Sequence, residues 1–191
     1  MFSSFSNSFN VNKYNNPPQI QYPFTGLLNG LFNTPTAAVG AWVSGPTSNW
    51  TITYNAVSTG GVINGWAGET YLGVDPLPPA SKYFMWVQLP NQANSFCNVT
   101  QNLYFPIGVY NISIWLAPRK GYYNSSMSVV VSINGTNTFV PKTFVSNTPF
   151  VNVTGTYNCS HGGTYPVVIA FANSASNDSS IFCSNFVITK N

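Results

Sequence analysis

Between Tyr110 and Leu116 apolar and polar positions alternate. Tyr110, Ile112, Ile114 and Leu116 share one side, and Asn111, Ser113 and Trp115 share the other. This is the period of a strand with one buried face. Met127, Val129, Val131 and Ile133 alternate with Ser128, Val130 and Ser132 in the same way. Asn134-Gly135 comes next, a pair suited to the positive-φ positions of a tight hairpin, and it predicts a return strand near Phe139 to Val145. Further strands are predicted at Trp50–Tyr54, Tyr83–Leu89, Val99–Phe105, Phe150–Tyr157, Pro166–Ala172 and Ile181–Ile188, with Pro and Gly in the gaps. No stretch of useful length carries a helical period. Many short strands at near-even spacing predict an all-β chain folded as an antiparallel sandwich.

Residues 1–25 differ from the rest. Phe2, Phe5, Phe9 and Tyr14 are spaced by Ser and Asn, and Pro17, Pro18 and Pro23 interrupt the second half of the segment. The segment is too polar to make its own core and too aromatic for an inert linker. It reads as an extended N-terminal arm ahead of a domain over residues 26–191. The arm either packs along its own domain or clips onto a neighbouring subunit.

Composition narrows the chemistry. Glu69, Asp75 and Asp178 are the only carboxylate side chains in 191 residues, and His161 is the only histidine. Glycoside hydrolysis needs two carboxyl groups across one bond, and no two acids here share a strand or turn. Cys159 and His161 stand two apart in one loop, without the orienting third group that a nucleophile pair requires. No catalytic residue is assigned, and the chain reads as a non-enzyme. Five Trp, eleven Tyr and fourteen Phe point instead to binding or assembly. Charged residues make up 5% of the chain, against about 25% in typical soluble domains, so little repulsion keeps copies apart. Of the six basic residues only Arg119 and Lys120 are adjacent, which is no phosphate-tracking stripe and argues against nucleic acid. Cys97, Cys159 and Cys183 make no disulfide framework: either one pair forms with one thiol left over, or all three are buried free thiols. They have no metal-ligand spacing, so no metal or other cofactor is expected. The N-terminus lacks the basic and apolar regions of a signal peptide, and no segment is apolar enough to insert into a membrane. Eight Asn-x-Ser/Thr sequons, among them Asn111 and Asn152, are read as a by-product of the Asn, Ser and Thr content.

Several fingerprints occur in a telling order: Asn29-Gly30-Leu31-Phe32, then Asn49-Trp50-Thr51-Ile52, then Val99-Thr-Gln101-Asn-Leu103. Gly108-Val-Tyr110-Asn-Ile112-Ser-Ile114-Trp115 and Ile133-Asn134-Gly135 come after them, and Ser184-Asn185-Phe186-Val187-Ile188 closes the chain. Over residues 27–190 this resembles the galactose-binding-like jelly rolls, a group that includes carbohydrate-binding modules. The resemblance implies a jelly-roll sandwich with Trp50 in the core, and the Gln101 amide can satisfy buried backbone groups where an apolar residue could not. The family often holds a structural calcium through acids where this chain has Asn33 and Ser184, so the metal is not expected here. The family does not fix a ligand, because one sandwich hosts many functions.

Sugar binding needs flat aromatic faces and polar groups for the hydroxyls. Trp115 is the first candidate, because its parity sets it opposite the core side. Trp86 has equal standing if Met85, Val87 and Leu89 face inward. Arg119, Tyr122 and Tyr123 lie just after Trp115 and could complete a pocket. Each has a structural alternative: a second layer over the two indoles, and a solvated or carbonyl-capping role for Arg119. Two function classes result. The first is a structural or assembly protein, a minor capsid or surface component of a virus particle, with the arm gripping other subunits and a virion or other extracellular particle as its location. The second is a glycan-binding module for cell-surface or cell-wall carbohydrate.

Overall fold

The computed structural model describes residues 22–23, 26–28, 30–32, 43–44, 49–55, 62–66, 83–90, 92–119, 127–144, 148–174 and 179–191. These residues form thirteen strands: β1 (Tyr22–Pro23), β2 (Val43–Ser44), β3 (Thr51–Tyr54), β4 (Val62–Trp66), β5 (Tyr83–Leu89), β6 (Phe96–Phe105), β7 (Gly108–Pro118), β8 (Met127–Ile133), β9 (Thr136–Asn137), β10 (Lys142–Thr143), β11 (Val151–Cys159), β12 (Gly163–Asn173) and β13 (Ser179–Lys190). One sheet runs β11-β7-β13-β5-β4-β2, with β1 also on β13. The other runs β10-β8-β12-β6-β3, with β9 on β8. The pairings are antiparallel throughout, and the two sheets form the jelly-roll sandwich.

The alternation read from the sequence sets the core. Tyr110, Ile112, Ile114 and Leu116 of β7 meet Met127, Val129, Val131 and Ile133 of β8 in one buried cluster with Met85, Val87 and Leu89. Hydrophobic burial of this kind stabilises a fold by about 25 cal/mol per Å². Trp50 is buried in the same cluster and lies 5.8 Å from the Phe32 ring and 5.9 Å from the Phe186 ring. Gln101, 6% exposed, reaches the chain segments outside its own sheet. Its Oε1 accepts the Leu28 N–H at 2.9 Å, and its Nε2 donates to the Leu28 carbonyl at 3.0 Å and the Asn49 carbonyl at 2.9 Å. A buried amide serves one donor and two acceptors that an apolar residue would leave unsatisfied.

β13 carries an irregularity between Ser184 and Val187, with Asn185 at φ 48°. The extra residue is a β-bulge. It turns Phe186 into the core while Val187 and Thr189 keep the outer parity. The Phe186 N–H donates to the Gly30 carbonyl at 2.9 Å, so the opening and closing fingerprints of the chain meet here.

Asn134 and Gly135, at φ 51° and 74°, turn β8 into β9. The return strand does not run from Phe139 to Val145 as expected. β9 stops after two residues because Thr138 divides its bonds: its N–H still donates to Val131 of β8 at 2.9 Å, but its carbonyl accepts the Thr156 N–H of the opposite sheet at 3.1 Å. The pairing with β8 resumes only at β10. The short pairings β1, β2 and β4 carry no clear alternation in the sequence and were not expected from it. Trp66 ends β4 opposite Tyr83.

The expected arm, with Phe2, Phe5, Phe9 and Tyr14, lies outside the described residues apart from β1, whose Tyr22 and Pro23 pair with Lys190 and Thr189. Cys97, Cys159 and Cys183 are free and buried. Burial pushes the Cys97 thiol from its ordinary 9.0 up to about 12 and raises Cys183 well above that ordinary value.

Candidate functional site

The outer face of the first sheet changes character along its length. Cross-strand neighbours define its rows. Thr156 stands opposite Asn111, and Asn111 opposite Thr189. Thr154 stands opposite Ser113, and Ser113 opposite Val187. Asn152 stands opposite Trp115, and Trp115 opposite Ser184. One row further, Ala117 stands opposite Phe182, and Phe182 opposite Trp86. Polar side chains thus occupy one end, an aromatic cluster the other, and Trp115 lies between.

The aromatic end is a second hydrophobic cluster of Phe84, Trp86, Ala117, Phe150 and Phe182, with the half-buried Trp115 packed against it. Trp86 stacks on Phe182 at 6.3 Å, and the Arg119 guanidinium lies 5.6 Å from the centre of the Trp86 ring. That places a cation over an aromatic face. Met85, Val87 and Leu89 do face inward, so the parity expected for Trp86 is right. Only 6% of Trp86 is exposed, however, which makes it a packing residue and not an open platform for a sugar. Arg119 packs with the indole, and its main-chain N–H donates to the Ser180 carbonyl at 3.0 Å. Trp115 is half-buried. Tyr122 and Tyr123 lie outside the described residues.

The polar end holds a groove of about 490 Å³ lined by Asn111, Ile112, Ser113, Thr154, Gly155, Thr156, Val187 and Thr189. Four hydroxyls and one amide face it, with a valine and stretches of backbone between them, and none of the eight residues is charged. Hydroxyls donate and accept, so such a lining suits a ligand rich in hydroxyls. The groove survives because β11 alternates: Asn152, Thr154, Thr156 and Asn158 are all exposed and all polar. Gly155, between them, lets the Thr138 carbonyl approach from the inner side, where an added Cβ would collide with it. The sequence places Asn111 and Ser113 beside Trp115 but does not single out Thr154, Thr156, Val187 and Thr189. The polar alternation of β11 was the available signal. The register that brings it against β7 and β13 is a long-range property.

Cys159 and His161 do not act together. The Cys159 thiol is buried and donates to the His161 main-chain carbonyl at 3.0 Å, while the exposed imidazole sits 2.9 Å from the Ser160 hydroxyl. Among the described residues no three His, Cys, Asp or Glu side chains gather to hold a metal. All three carboxylate side chains lie outside the described residues.

No protein-family model matches the chain, and no curated protein matches it in sequence. Solved structures do match. TmCBM61 in complex with β-1,4-galactotriose superposes with a TM-score of 0.58 at 17% identity, over 86% of this chain and 97% of that one. The two share a jelly-roll β-sandwich fold. The Stig cyclase Fisc from Fischerella sp. TAU shares it, with a TM-score of 0.66 at 13% identity over 90% of this chain and 98% of the cyclase. An arabinose-bound MgGH51 α-L-arabinofuranosidase matches 85% of this chain with 26% of its own length, with a TM-score of 0.54 and 12% identity. At these identities the likeness is one of architecture. The same jelly roll therefore carries both a sugar-binding module and a cyclase.

Proposed function

We propose that the chain is a non-catalytic carbohydrate-binding module that takes an uncharged glycan into the groove across β11, β7 and β13. The carrying observation is the groove itself: hydroxyls and an amide on three adjacent strands, with the half-buried Trp115 one cross-strand row beyond Ser113 and Thr154. A sugar presents hydroxyls at its edge and C–H groups on its face, which suits this pairing of polar ladder and indole. The absence of charged groove residues favours neutral sugars over uronates or sialosides. The shared architecture with TmCBM61 adds support.

Two other readings rank below it. A particle subunit rests on low overall charge and an aromatic arm, and neither feature explains the groove. Catalysis would need groups that move protons or bonds, and the groove holds only hydroxyls and an amide. The likeness to the cyclase is a likeness of fold.

A glycan array on the full chain, with Thr154→Ala and Trp115→Ala alongside, tests the proposal. Binding to neutral glycans that both variants lose supports it. Binding only to acidic glycans, or binding that neither variant weakens, refutes it.

A further inference from the structure

We propose that Asn191 is the positioning residue of this groove: it locks the Asn111 amide and thereby sets which ligand hydroxyls the groove accepts. The inference rests on the glycan-binding reading. Among the groove residues Asn111 carries the only side-chain amide. The hydroxyls of Ser113, Thr154, Thr156 and Thr189 rotate and serve as donor or acceptor as a ligand demands. They give affinity with little discrimination. An amide differs, because its donor and acceptor ends are distinct and fixed to one plane. A site with a fixed hydrogen-bond pattern is the kind that rejects a wrongly placed hydroxyl.

Asn111 does not choose its own orientation. Its Nδ2 donates to Asn191 Oδ1 at 2.6 Å. Asn191 is held in turn, because its N–H donates to the Val109 carbonyl of β7 at 3.0 Å. Thr189 stands opposite Asn111 on β13, and Asn191, just past the last residue of that strand, reaches the Asn111 amide with its side chain. With one amide hydrogen committed to Asn191, the amide plane is set, and the Asn111 carbonyl accepts from, and its second N–H donates to, ligand hydroxyls that match that plane. Asn191 lines no part of the groove itself, so its effect passes through Asn111.

The test uses the full chain, with Asn191→Ala and Asn191→Asp. Titrations employ β-1,4-galactotriose, xylotriose and cellotriose, with Thr154→Ala as the groove control. A parallel NMR spectrum reads the Asn111 side-chain amide. In Asn191→Ala the Asn111 amide signals shift, affinity for the best trisaccharide falls about 10-fold, and the preference among the three flattens. Asn191→Asp keeps the acceptor and restores both affinity and preference, which a general loosening of the segment after β13 would not produce. If Thr154→Ala weakens binding while Asn191→Ala changes neither affinity nor preference, the positioning role is refuted and the glycan reading stands. An unshifted Asn111 amide in Asn191→Ala refutes it equally. If the chain binds none of the three sugars, or Thr154→Ala has no effect on binding, the glycan reading of the groove fails and takes the inference with it.

Discussion

The Phe186 main chain donates to the Gly30 carbonyl, and the Phe186 carbonyl lies where a side chain on Gly30 would have to go. Residues distant in sequence are thus packed backbone to backbone. The bulge at Asn185 provides this approach. Gly30→Ala must push the bulge away and also displace the Leu27 side chain, so it should cost about 1–3 kcal/mol, in the range of overpacked cores. A denaturant midpoint equal to that of the parent chain would show that the contact yields freely.

Gln101 makes the second long-range tie. Gln101→Ala strands the Leu28 N–H, the Leu28 carbonyl and the Asn49 carbonyl. The expected loss is about 1–3 kcal/mol. Hydrogen exchange at Leu28 should rise more than at the β7 core amides, and equal protection in parent and variant would remove the role.

Alkaline pH should destabilise the fold through its thiols. Burial holds Cys97 at about 12 against an ordinary 9.0, and Cys183 is shifted the same way. The folded state therefore favours the neutral thiol. Its stabilising contribution is fully present below about pH 9 and is lost as pH rises through 9 to 12. Buried Tyr110 and Tyr157 are also raised, first by burial, and add to the same trend. Denaturant midpoints should fall across that window, and Cys97→Val should fall less steeply than the parent. Identical slopes would contradict the assignment.

The two outer-face indoles should separate in their effects. Trp86→Ala opens a cavity among Phe84, Phe150 and Phe182 and should cost about 3–5 kcal/mol. Trp115→Ala, at a half-buried position, should cost about 1–2 kcal/mol in stability and show its main effect on sugar binding. Equal destabilisation by the two variants would make Trp115 a packing residue as well.

Period-two patterns made β6, β7, β8 and β13 legible in the sequence, because each has one buried face and alternation records it. The Asn134-Gly135 turn was legible for a local reason, the demand for positive φ. The strand after that turn was not legible, since the Thr138 carbonyl turns from β8 to Thr156 on the other sheet, a partner that no local pattern reveals. The parity of Trp115 and Trp86 was right for both. Their different exposure depends on what packs beside them, which period cannot express. The groove required the register of β11 and β13 against β7, fixed only when three distant segments meet.

Chemical-shift mapping of the folded chain with its best neutral trisaccharide tests the central claim most directly. The account predicts shifts concentrated at Asn111, Ser113, Thr154, Thr156 and the Trp115 indole, with the opposite sheet unchanged. Shifts confined to the outer face of β6, β8 and β12, or none at saturating sugar, would contradict it.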